Sequence, residues 1–189
     1  MTNVLLGCGA SAALHKACDL ASKLTQEGHA VRAVLTPRAA ELVSPQLFEA
    51  LTGEPAQVDE FGNERRGAMD HVELSRWAGI LLVAPATADL MARLALGLAG
   101  DLVGTISLVL PAGVPRLLCP AMNPNMWSAP AVQRHAATLA ADGWRLLTPE
   151  AGHLACGDEG TGRLVEPARI LEAVREIAAQ ASGAPRTGG

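Results

Sequence analysis

Several short stretches of this sequence hold side chains able to move protons or grip a polar ligand. His71, in "MDHVELSRWAG" (69–79), carries an imidazole, which titrates close to neutrality; a lone histidine serves equally well as a hydrogen-bonded surface or core residue. "PATADL" (85–90) puts the Thr87 hydroxyl and the Asp89 carboxylate at the start of a helix, where Asp89 also suits the helix dipole. "LACGDEGTGRL" (154–164) has neither helical nor strand period, and its three glycines read as a mobile loop over a site. Cys156 within it is either a buried anchor or a proton donor with a pKa nearer neutrality than a hydroxyl's. "PAMNPNMW" (120–127) crowds two methionines, two asparagines and one of the three tryptophans into a strand end.

Two further loops suit an anion. A glycine turn that opens into a helix offers free backbone N–H groups, and "GCGASA" (7–12) has G-x-G without the third glycine of the dinucleotide fingerprint. No acidic residue ends the second strand to hold a ribose; "VLTPRA" (34–39) offers Thr36 and Arg38 instead, which favours a phosphate-ended ligand over NAD. A plain tight turn with an ordinary helix cap at Ser11 reads equally well from the spacing alone.

The elements that position these loops follow from hydrophobic period. Short apolar runs at 3–8, 30–36, 79–85, 114–121 and 144–149 predict strands, and segments 11–27, 37–51, 88–99, 128–142 and 167–180 predict helices. Near-continuous apolar strands alternating with helices indicate a doubly wound parallel α/β sheet covered on both faces, a Rossmann-like or flavodoxin-like three-layer sandwich. Ligands in such sheets bind beyond the carboxyl ends of the strands, where the unusual loops fall. At 189 residues the chain suits one domain over 1–181, with "SGAPRTGG" (182–189) as a frayed tail.

Composition removes other classes. No apolar run nears the ~20 residues of a membrane span, and "MTNVLLGCGASAALHK" lacks a basic signal-peptide start, so a soluble, cytoplasmic protein is expected. A net charge of -4, no tyrosine and two phenylalanines leave neither basic stripe nor stacking platform for nucleic acid. The four cysteines show no C-x-x-C spacing and no histidine cluster, so no metal is expected; Cys8, Cys18 and Cys119 read as buried apolar residues.

"MDHVELSRWA", "APATADLMARLALGLAGDLVGT", "PAMNPNMW" and "ACGDEGTGRL", in this order and at these separations, resemble the flavin-dependent cysteine decarboxylase family over about residues 3–175. Within it the chain looks most like the branch that acts on phosphopantothenoylcysteine in coenzyme A biosynthesis. The resemblance implies an FMN-binding homotrimer, or a homododecamer built from trimers, with the flavin between subunits. It implies His71, Asn123 and Cys156 as catalytic, Gly9, Ser11, Thr36, Thr87 and Asp89 against the cofactor, and Met122, Asn123, Ala155 and Cys156 against the substrate. The implied reaction, 4′-phosphopantothenoylcysteine to 4′-phosphopantetheine, is redox-neutral: the flavin oxidises the substrate transiently, His71 assists deprotonation, and Cys156 donates a proton on re-reduction.

The neutral amide of Asn123 suits its implied role, because it orients a carboxylate without the ground-state stabilisation that a lysine would give. Bracing a turn beside Pro124 is the other use for it, although Asn125 is available for that duty. Met122, Met126 and Trp127 suit apolar walls or ordinary core. Ala10 stands where many members have glycine, and Gly100 where asparagine is usual. The sequence carries no ligase domain after this one, so the expectation is either a stand-alone decarboxylase, with a separate phosphopantothenate–cysteine ligase as a partner, or one half of a fusion. The alternatives within reach are a peptidyl-cysteine decarboxylase, which needs no thiol acid, and a non-catalytic FMN-binding regulator.

Overall fold

The computed structural model describes residues 1–60, 69–153 and 159–183. Five strands, β1 (Asn3–Cys8), β2 (Ala30–Leu35), β3 (Ile80–Ala86), β4 (Arg116–Pro120) and β5 (Trp144–Leu146), form one sheet in the order β2-β1-β3-β4-β5. Every pairing in it is parallel. Such a sheet must be covered on both faces, and the alternation along β1 shows how. Val4, Leu6 and Cys8 point into one core with Leu20, Leu24 and Phe48. Leu5 points into the other, with Leu74, Leu81, Leu90 and Val103.

The helices are α1 (Leu14–Gln26), α2 (Pro37–Leu42), α3 (Pro45–Thr52), α4 (Asp70–Trp77), α5 (Ala88–Ala95), α6 (Leu102–Val109), α7 (Pro124–Ser128), α8 (Pro130–Ala141) and α9 (Pro167–Gly183). The single helix expected over 37–51 is two. Pro45 supplies no N–H and forces Ser44 out of the helical region, so Val43 and Ser44 are extended and Ser44 caps a new helix by accepting from the Gln46 N–H. The helix expected over 88–99 stops at Ala95, with Gly97 at φ 66°, and α6 follows unannounced. It escaped a reading by period because "LVGTISLV" is apolar nearly all round. Its close approach to the sheet needs Gly7, where a Cβ would stand 3.1 Å from Val103 Cγ1.

A second correction falls in the stretch read as a loop over 154–164. Residues Glu159–Arg163 form a strand, β7, antiparallel to β6 (Glu150–His153). Two glycines among five residues concealed it, since glycine gives a strand pattern nothing to alternate. At the far end, the backbone of α9 is helical through Gly183, past the start of the expected tail. Among the described residues no helix is long and apolar enough to cross a membrane, and no cluster of His, Cys, Asp and Glu is set to hold a metal.

Candidate active site

With β1 followed by β2 on one side and β3 on the other, the connections diverge between β1 and β3, and a crevice opens at their carboxyl ends. A cavity of about 960 Å³ occupies it. Local chemistry shapes its rim. Thr36 follows β2 in an extended conformation, and its hydroxyl accepts from the Ala39 N–H at 3.2 Å to cap α2. Thr87 does the same for α5 through the Leu90 N–H at 3.2 Å. Ser11 accepts from the Ala13 N–H at 3.2 Å ahead of α1. All three residues line the cavity. Gly9 stands behind them, its N–H donating to the Pro85 carbonyl at 2.9 Å; a Cβ there would meet that oxygen at 2.9 Å.

The floor at β4 is the "PAMN" segment. Ala121, Met122 and Asn123 line the cavity, with exposed Met126 beside them. Asn123 is itself the turn-bracing residue: its Oδ1 accepts from the Asn125 N–H at 2.8 Å and caps α7. The cap engages Oδ1 and so identifies Nδ2 as the donor end of the amide. β7 lies directly against this segment. Met122 donates to the Gly162 carbonyl at 2.9 Å, and a Cβ on Gly160 would stand 2.9 Å from Pro124 Cγ. Trp127 packs at the edge of the second core and lines a smaller cleft of about 490 Å³ with Pro124 and Thr161.

Charged residues complete the wall; sequence reading singled out Asp89 and Arg38 among them but not Lys16, Arg93, Asp101 or Arg163. Arg93, one turn after Asp89, pairs with it at 3.0 Å and with Asp101 at 2.5 Å; the Asp101 side chain is 4% exposed and caps α6 through the Gly104 N–H. Arg38, Lys16 and Arg163 also face the cavity. Glu166, just before α9, receives Lys16 at 2.9 Å, and this hydrogen bond is the main reason its carboxyl lies below the usual carboxylate range. The i, i+4 spacing of Asp89 and Arg93 was readable in advance; the Lys16–Glu166 contact, 150 residues apart, was not.

Of the expected site residues, Ser11, Thr36, Thr87, Asp89, Met122 and Asn123 gather in one cavity, while His71 is not among its lining residues. His71 occupies the first turn of α4, paired through Nδ1 with Glu60. Its neighbour Asp70 is fully buried and accepts from Gln57 Nε2 at 2.7 Å. The opposite end of α4 meets the start of β1, where Asn3 donates to the Trp77 carbonyl, so the His71 end points toward the carboxyl edge of the sheet. Ala155 and Cys156 lie outside the described residues. Cys8 and Cys119 are buried as expected, and burial pushes both thiols far up. Cys18 is only half-buried, with its thiol raised for the same reason.

The family model described as Flavoprotein matches residues 1–179. The Coenzyme A biosynthesis bifunctional protein CoaBC of Bacillus subtilis (strain 168) is 39% identical over 186 residues, 98% of this chain and 45% of that protein. The chain thus spans about half the length of the curated relatives it matches. Among solved structures, a cysteine-to-serine variant of PPC decarboxylase complexed with pantothenoylaminoethenethiol superimposes with a TM-score of 0.84 at 31% identity, over 94% of this chain and 98% of that one. The FMN-dependent cysteine decarboxylase SpaF gives 0.81 at 29% identity, over 97% and 98%. With sheet order, the placement of the cavity and a family match over nearly the whole length in agreement, the chain belongs to the flavoprotein family.

Proposed function

We propose that this chain catalyses the FMN-dependent decarboxylation of 4′-phosphopantothenoylcysteine to 4′-phosphopantetheine, a cytoplasmic step of coenzyme A biosynthesis. The observation that carries the reading is Asn123, held rigid by its own cap on the wall of a large cavity whose opposite rim is made of hydroxyl-capped helix starts. That rim fits FMN: Ser11, Thr36 and Thr87 would hold its phosphate, Gly9 keeps the first turn close to β3, and the volume reaches the upper range of cofactor sites. FMN, when bound, supplies a temporary two-electron acceptor, without which the carbanion left by CO₂ would have no electron sink.

The chain's own residues do the rest. Asn123 orients the substrate carboxylate through neutral donors and leaves it free to depart. Met122, buried on the same wall, excludes water from the reacting carbon. His71 takes a proton from the substrate thiol; because it lies outside its own chain's cavity, a second copy must bring it. Leu96, Leu98, Leu108 and Val109, exposed on and beside α5 and α6, give that copy an apolar surface to cover, in keeping with a homotrimer or a dodecamer of trimers. Cys156 returns a proton to the enethiolate, with Ala155 beside the substrate. A phosphopantothenate–cysteine ligase, on a separate chain or a further domain, supplies the substrate.

The test is direct. The FMN-loaded protein incubated with phosphopantothenoylcysteine should release CO₂ and phosphopantetheine in equal amounts. Bound FMN without turnover overturns the reading, and turnover of a peptide with C-terminal cysteine in its place moves the chain to the peptidyl branch.

A further inference from the structure

The proposed substrate carries two anionic ends, and the cavity wall holds a second cationic feature besides its capped rim. Lys16 of α1 and Arg163 of β7 both line the cavity. Both reach the same atom: Lys16 Nζ is 2.9 Å and an Arg163 terminal nitrogen 2.5 Å from Glu166 Oε1. Two cations bonded to one oxygen lie close enough together to bind two oxygens of a single phosphate group. Glu166, and Glu150 at 3.4 Å from Arg163, stand behind them and are not part of the cavity lining. The carboxylates therefore hold the cations in place while the cations face the empty volume, so ligand binding need not immobilise two long side chains.

Elsewhere on the wall the cation Arg93 is outnumbered by carboxylates. Asp89 and Asp101 are both satisfied by Arg93. Thr36 and Arg38 belong to the start of α2, whereas Lys16 belongs to α1 and its partner Glu166 stands just before α9. On the other side, Arg163 follows Gly162, whose carbonyl is tied to Met122 beside Asn123. A ligand whose carboxylate is at Asn123 can thus run along β7 to the cation pair.

Resting on the decarboxylase reading above, we infer that Lys16 and Arg163 form the seat for the substrate's terminal phosphate monoester, so that they set the preference for a phosphorylated substrate. The experiment compares kcat/KM for phosphopantothenoylcysteine with that for pantothenoylcysteine, using the FMN-loaded full chain. The wild-type protein should favour the phosphorylated substrate by about ten-fold or more, as expected for loss of charge-assisted bonds. Lys16→Met and Arg163→Met should each collapse that ratio toward one. The ratio in the wild-type protein should also fall with rising ionic strength, a readout that needs no variant.

Turnover of neither substrate defeats the decarboxylase reading itself. Turnover of both with a ratio near one, a ratio insensitive to salt, or variants that keep the wild-type ratio would overturn the phosphate seat. Flavin absorbance per protein gives the last arm: variants that lose FMN while keeping the ratio place these cations at the cofactor's phosphate instead, which also overturns it.

Discussion

A Cβ built on Gly162 would stand 2.2 Å from the carbonyl oxygen of Met122, and the Met122 N–H donates to the carbonyl of Gly162 at 2.9 Å. The two backbones are in contact with no room for a side chain between them. Gly162→Ala should therefore push β7 away from the "PAMN" segment. We expect a loss of about 1–3 kcal/mol in stability from overpacking. A fall of about 10²-fold in turnover should follow from displacing Asn123. Chemical denaturation and CO₂ release measure the two effects, and a variant with wild-type values in both would show that the contact is not needed.

Asn123 combines a structural and a proposed chemical role, and two substitutions divide them. Asn123→Asp keeps a good helix cap and should leave the melting temperature near that of the wild-type protein, but it sets a negative charge against the substrate carboxylate and should abolish turnover. Asn123→Ala should lose turnover and in addition about 1 kcal/mol of stability. Full activity in the aspartate variant would remove Asn123 from carboxylate binding.

His71 lies outside the cavity of its own chain, so His71→Asn and Asn123→Asp subunits should complement each other. Each variant alone should be inactive, and co-expressed mixtures should regain part of the wild-type rate because some sites receive both intact residues. Mixed oligomers that stay inactive, with assembly verified by sedimentation, would place both residues of a site on one chain.

Stability should fall with acid through His29. Its side chain is buried at the β2 start with Nδ1 unpaired, and burial, then the charged N-terminus, lowers its pKa. The folded state thus favours the neutral ring. Below its ordinary value of about 6.5 the unfolded chain binds a proton that the folded one resists, and stability drops as pH falls toward the depressed folded value. Glu27, held low chiefly by its hydrogen bond from Arg175, adds a further loss in the carboxylate range. Thermal melts from pH 8 to pH 5 should show the first slope, and His29→Gln should flatten it.

The parallel sheet was legible because its strands are apolar throughout, as in "ILLVAPA", and end in glycine, threonine and proline, which no helix interior tolerates well. α6 and β7 were not, since one has no polar face and the other almost no side chains. In the site, Thr36, Thr87 and Asn123 could be found from sequence because each occupies a strand end just before a helix start. Arg38 was legible for the same reason, following Thr36 at the end of the second strand, but Lys16, Arg93 and Arg163 were not, because a surface basic residue looks the same in sequence whether it faces solvent or a cavity. His71, on α4, is not among the residues that line the cavity, and a segment's period does not encode which cavity its side chains reach.

The three hydroxyls at the cavity rim have a further property. Each accepts a backbone N–H, which leaves its hydroxyl hydrogen and a second lone pair for a further partner. These three side chains are polar without carrying net charge, so none of them repels another. The positions of these hydroxyls are set by the helix starts that they cap, so the chain's own backbone fixes the spacing of the rim.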